Sequence, residues 1–198
     1  MGKPQNNEGD AAENNEGLNH GFDLRSDGLG MQTLVISAPV VYGGCAMLMI
    51  IRPARESDFH ALNHIRESAV RDSTAAGSAL IERLHRWNPR RSYAKPAYWR
   101  NAFVAEVEGE VVGVAKTIGP MLKDLWVLQT KRSLGAGAAL GRAAENAIRA
   151  DGHRVAHLYT AAFNARTRAF YERNGWSMVR FTQHAVGHFR RCVYVKRL

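Results

Sequence analysis

The chain has 198 residues, 45% apolar and 23% charged, which suits one well-cored domain and leaves too little for two ordinary ones. Its two cysteines exclude a disulfide framework and neither stands in a metal-ligand spacing, so a reducing, cytoplasmic setting is expected. The net charge of +9 is split: residues 1–46 carry two basic and six acidic side chains, and the remainder carries 25 basic and 12 acidic, a net of +13. Such a field favours anionic partners, phosphorylated cofactors among them.

Residues 1–30 are rich in Asn, Gly, Glu and Asp and hold few large apolar side chains, a composition expected to stay disordered. From Gly28 to Ile51 the chain carries no charge. Pro39 and Gly43-Gly44 break a membrane helix there, and a secretory signal needs a basic flank where this one is acidic. The expected organisation is a dispensable leader over residues 1–46 and one domain over 47–198.

The domain opens with a strand at Met49–Pro53. Ser57 then caps a helix with apolar positions Phe59, Leu62, Ile65 and Ala69. A second amphipathic helix carries Leu80, Ile81, Leu84 and Trp87, and Arg90 to Arg100 reads as loop. Strands at Ala102–Glu108 and Val111–Ile118 flank a tight turn at Gly109, and a short strand, Leu125–Leu128, follows. A helix carrying a stripe of Leu140, Ala143, Ala144, Ala147 and Ile148 ends at Asp151-Gly152. A strand at Val155–Thr160, a short helix capped by Asn164, and strands at Trp176–Thr182 and Phe189–Lys196 complete the order β-α-α-β-β-β-α-β-α-β-β. Without strict alternation, this predicts a mixed sheet flanked by helices.

Arg132-Ser133-Leu134-Gly135-Ala136-Gly137 lies between a strand and the most amphipathic helix. The first-turn amides of a helix lack internal acceptors and sit at its positive dipole end, and glycine lets a phosphate approach them. Lys131 and Arg132 add charge nearby. A nucleotide P-loop would need Gly-Lys-Ser/Thr where Ala138-Ala139 follows, and a dinucleotide fingerprint lacks its third glycine at Leu140.

Arg132-x-x-Gly135-x-Gly137, followed by Asn164-Ala165-Arg166-Thr167-Arg168-Ala169-Phe170-Tyr171-Glu172-Arg173-Asn174-Gly175-Trp176, resembles the two signatures of the GNAT superfamily of N-acetyltransferases. In the second, the alanine is displaced by one place and tryptophan stands for the final aromatic. The likeness covers residues 49–198 and implies a mostly antiparallel central sheet flanked by helices. It also implies acetyl transfer from acetyl-CoA to a primary amine, without a covalent enzyme intermediate and without a metal.

Carried over residue by residue, the resemblance assigns the pyrophosphate to the amides of Ser133, Leu134, Gly135, Ala136, Gly137, Ala138 and Ala139, with Arg132 beside them. It assigns the pantetheine arm to Val127, Leu128 and Asn164, and the proton returned to the thiolate to Tyr171. Met121 stands where some relatives carry a basic glutamate, so Asp124, Glu106 and Glu108 are the alternatives. His60 and His64 share a helix face but find no third ligand in the sequence. The expected acceptor is a small-molecule or peptide amine, and one that also carries a carboxylate or phosphate fits better, because a net +13 domain is a poor host for a polycation. A monomer or homodimer is expected, with no nucleic-acid or membrane partner. The rival readings are a non-catalytic acyl-CoA-binding regulatory module and, more distantly, a binder of single-stranded nucleic acid.

Overall fold

The computed structural model describes residues 22–26, 32–42, 45–75, 101–184 and 189–198. The expected second helix and the loop to Arg100 lie outside these residues. The other expected elements form: β3 (Cys45–Pro53), α1 (Phe59–Ala75), β4 (Ala102–Val107), β5 (Glu110–Ile118), β6 (Met121–Val127), α2 (Ala136–Ala150), β7 (Val155–Ala161), α3 (Ala165–Arg173), β8 (Ser177–Gln183) and β9 (Arg190–Arg197). Two further strands precede them, β1 (Phe22–Ser26) and β2 (Gln32–Tyr42), inside the segment the sequence sets apart as a leader. The β-branched residues Thr33, Val35, Ile36, Val40 and Val41 suit β2 to a strand, and it pairs with β3 from Ile36↔Ile51 to Tyr42↔Cys45. The described part of the uncharged run, residues 32–42 and 45–51, is therefore sheet. Among the described residues no helix is long and apolar enough to cross a membrane.

The nine strands form one sheet in the order β1-β2-β3-β4-β5-β6-β7-β9-β8. Every neighbouring pair is antiparallel except β6 and β7. Between β4 and β5, Glu108 and Gly109 both take positive φ, 51° and 80°, as a type I′ hairpin turn requires. β6 starts four residues earlier than the sequence suggests. Its ladder with β5 steps from Lys116↔Asp124 to Thr117↔Leu122, so Lys123 is the extra residue of a bulge. That bulge breaks the alternation by which a strand is recognised.

Each face of the sheet carries its own core. On one, α2 lays Ala136, Ala139, Leu140, Ala143, Ala144 and Ile148 against Ile51, Ala105, Val112, Ala115 and Leu158. The small side chains bring helix and sheet close: a Cβ on Gly113 of β5 would stand 2.9 Å from Leu140 Cδ1 and 3.0 Å from the Trp126 carbonyl. On the other, α1 packs Leu62 and Ile65 on Ala102, Val104, Val114 and Leu128. The start of α1 is fixed by Asp58, not by the expected Ser57 cap. Its carboxylate accepts the Arg55 backbone N–H at 2.7 Å and two guanidinium N–H bonds from Arg52, at 2.8 and 2.9 Å. Burial alone would raise the Asp58 pKa, but these donors outweigh it and hold the group below its usual value.

Candidate active site

β6 and β7 touch through a single register pair, Met121↔His157, with the His157 N–H donating to the Pro120 carbonyl at 3.0 Å. Towards their C-terminal ends the two strands share no further rung, and the sheet opens between them. The end of β6 leads to the glycine-rich turn and α2, and the end of β7 leads to α3, so the opening lies between the starts of two helices.

At the turn, Ser133 and Gly135 both have positive φ, 75° and 79°. The first bond of the α2 ladder is Ala139 N–H to the Gly135 carbonyl at 3.0 Å, so the amides from Ser133 to Ala138 precede the ladder. The side chains of Leu134, Ala136 and Ala139 are buried in the protein, so at those three positions only backbone is left to meet a ligand, while the Ser133 side chain is exposed. A Cβ on Gly137 would come within 3.3 Å of the Phe170 ring, so the missing side chain lets α3 pack closely against the first turn of α2. These features fit a phosphate-bearing cofactor. The two cations beside them are already engaged: Arg132 is paired with Asp72 of α1, and Lys131 with Glu110. Val127 ends β6, half-buried, while Leu128 is buried in the α1-side core.

Asn164 sits at the end of the β7 side and caps α3, its Oδ1 accepting the Thr167 N–H at 3.0 Å. α3 is tied to β9 by Tyr194, whose hydroxyl donates to Glu172 at 2.7 Å. Tyr171 is thereby turned inward, 7% exposed, with rings of Phe170, Trp176 and Tyr194 around it. Burial first, and then the negative charge of Asp124, push the phenol well above the usual tyrosine range, so it stays protonated.

The three carboxylates considered as bases fall in different places. Glu106 is paired with Arg52, and Glu108 accepts the Leu48 N–H at 2.9 Å. Asp124 lies across from the buried Lys116, and its charge is the one felt at Tyr171. His60 and His64 are exposed on α1. Among the described residues no group of three or more His, Cys, Asp or Glu is placed to hold a metal ion.

Sequence reasoning missed a buried ion pair beside Tyr171. Glu145 of α2 accepts the Trp176 indole N–H at 3.1 Å and two bonds from Lys196, whose Nζ also donates to the Asn174 carbonyl. These residues line a small cavity together with Tyr171, Phe170 and Leu122. The signal was an acidic residue within the alanine-rich face, directly after Ala143-Ala144.

The mixed sheet thus opens between two parallel strands, with a helix N-terminus at one lip and a buried tyrosine at the other. Residues 98–178, the stretch that holds both signatures, match the acetyltransferase (GNAT) domain family model. No curated protein matches the sequence significantly. Solved structures similar to this chain include a GCN5-related N-acetyltransferase from Rhodopseudomonas palustris, 19% identical over 75% of this chain and 94% of that one, TM-score 0.64. The PaiA N-acetyltransferase of Thermoplasma acidophilum, in complex with coenzyme A, is 16% identical over 76% and 99%, TM-score 0.62. A ribosomal-protein-alanine N-acetyltransferase from Brucella melitensis is 23% identical over 75% and 99%, TM-score 0.55.

Proposed function

We propose that the chain is an N-acetyltransferase that moves the acetyl group of acetyl-CoA to a primary amine by direct attack, with no covalent enzyme intermediate. The observation that carries this reading is the single-rung junction of β6 and β7, opening between the unladdered amides of the α2 turn and the buried phenol of Tyr171. Acetyl-CoA supplies the activated thioester. The amides from Ser133 to Ala138 hold its pyrophosphate; the Ala139 amide, also assigned to it by the resemblance, is already given to the Gly135 carbonyl. Arg132 takes part by sharing or releasing Asp72. Val127, Leu128 and Asn164, at the C-terminal ends of β6 and β7, border the cofactor arm. Tyr171, kept protonated, donates to the departing sulfur and recovers its proton from solvent. Asp124 is the carboxylate best placed to draw a proton from the amine, directly or through water. The acceptor is a small-molecule or peptide amine. The protein works in the cytoplasm, where the buried Cys192 remains a thiol.

The test is thermal stability with acetyl-CoA, CoA and NADPH, followed by thiol release against a panel of amines. Stabilisation by acetyl-CoA and CoA, with thiol release on at least one amine, supports the reading. Stabilisation without turnover by any amine favours a regulatory acyl-CoA-binding module. No stabilisation at saturating acetyl-CoA refutes both.

A further inference from the structure

The sheet face opposite α2 and α3 carries a second cavity, a cleft of about 210 Å³. Its walls are the start of β6, the end of β7 and the facing part of β9, and Lys123, His184 and Arg191 bring basic groups to it. Among the described residues lining it there is no carboxylate. Leu122 lines both this cleft and the cavity beside Tyr171, so the two open from opposite faces onto the same bulged segment of β6.

Arg191 is held in place without being satisfied. Its guanidinium carbon lies 4.7 Å from the centre of the Tyr159 ring, and Nη2 donates a long bond to the Gln183 carbonyl at 3.4 Å. Nε is buried and has no hydrogen-bond partner among the described residues. A buried N–H left without an acceptor is unfavourable, and native proteins seldom retain one without a reason. A guanidinium offers Nε–H and Nη–H together as a two-point donor to a carboxylate or phosphate, and stacking on an aromatic ring fixes the plane in which it does so. Lys123 is the extra residue of the β6 bulge, which brings its charge to the same cleft.

We infer that this cleft is an acceptor subsite that binds a carboxylate or phosphate carried by the amine substrate, with the Arg191 guanidinium as the donor and Lys123 as its supporting charge. The inference rests on the transferase reading above and adds the substrate class: an amino acid or an amino phosphate ester. Tyr159 and Phe189 supply apolar walls, so the remainder of the acceptor is small and partly apolar.

The test compares matched amines in thiol release: L-phenylalanine with phenethylamine, and O-phosphoethanolamine with ethanolamine, at equal ionic strength. The better of the two anionic amines is expected to exceed its neutral partner by about tenfold or more in kcat/KM, since a site built to bond a group discriminates against its absence. Which pair shows the preference separates carboxylate from phosphate. Arg191→Gln brings that ratio down towards one, and Lys123→Gln, on a half-exposed side chain, lowers it independently. A wild-type ratio near one, or a ratio unchanged in both variants, overturns the inference and leaves the transferase standing. A second readout needs no turnover: the wild-type melting temperature with CoA present rises with the anionic amine and not with its neutral partner, and Arg191→Gln loses the rise. If that shift holds while no amine is acetylated, the cleft binds the anion but is not an acceptor subsite, and the transferase reading falls with it. If neither anion shifts the wild type, the subsite falls.

Discussion

Replacing Lys196 by methionine tests whether the buried ion pair beside Tyr171 fixes the geometry of the α2–α3–β9 corner. Glu145 is 9% exposed, and Lys196 reaches both of its oxygens, at 2.9 and 2.8 Å. Without the ammonium, the carboxylate keeps only the Trp176 indole donor, and the Asn174 carbonyl loses its partner. Breaking a fully buried pair costs about 3–5 kcal/mol. Lys196 is one-quarter exposed, so water recovers part of the loss and about 2–3 kcal/mol is expected. Glu145→Gln keeps the shape and the indole acceptor and is expected to cost about 1–2 kcal/mol. In the double variant no unpaired charge remains, so the two losses should fall short of additive by about 1–2 kcal/mol. Urea unfolding with a common slope of about 2 kcal/mol/M would place Lys196→Met about 1–1.5 M below wild type. Additivity within about 0.5 kcal/mol would refute the account, since the two side chains would then not be energetically coupled.

Four further outcomes follow from the geometry. Tyr171→Phe should lower kcat by about 10²-fold or more while the CoA dissociation constant stays nearly constant, checked by steady-state kinetics and calorimetry. Because burial and Asp124 raise the phenol pKa, the wild-type rate should show no loss attributable to Tyr171 up to about pH 10. The Asp58 carboxyl is held below its ordinary 3.8, so its contribution is present above that pH and fades as pH falls through the lower, folded value; the stability gap between wild type and Asp58→Asn should close on acidification below about pH 4. Gly113→Ala should destabilise the protein by about 1–3 kcal/mol in urea, because the new methyl meets a fixed backbone carbonyl as well as the Leu140 side chain.

The parts legible in the sequence were those whose signal is local. The α2 stripe of Leu140, Ala143, Ala144 and Ile148 carries its own period, the β4–β5 turn its Gly109, and Asn164 its capping chemistry. The glycine turn was legible because a strand, two glycines and an amphipathic helix follow one another directly. What escaped was long-range. Lys196 meets Glu145 across 51 positions and Arg132 meets Asp72 across 60, and no periodicity records such pairs. The bulge at Lys123 hid the first half of β6, since Lys123-Asp124 reads as a break in a strand when the partner strand is unseen. The cleft containing Arg191 escaped for the same reason: its walls come from β6, β7 and β9, which only the sheet order brings together.

That order carries a consequence for how the protein can be made and altered. β1 to β6 lie in the sheet in the order they occur in the chain, so each strand can be added to the one before it as it emerges. β9 is different, because it lies between β7 and β8 and pairs with both. Residues 190–197 are therefore the middle of their half of the sheet, and β7 and β8 have no ladder to each other until those residues arrive. A tag or a trimming at this point, harmless on an edge strand, would remove the keystone that holds two strands, the Lys196 anchor and the Tyr194 tie to α3 at once.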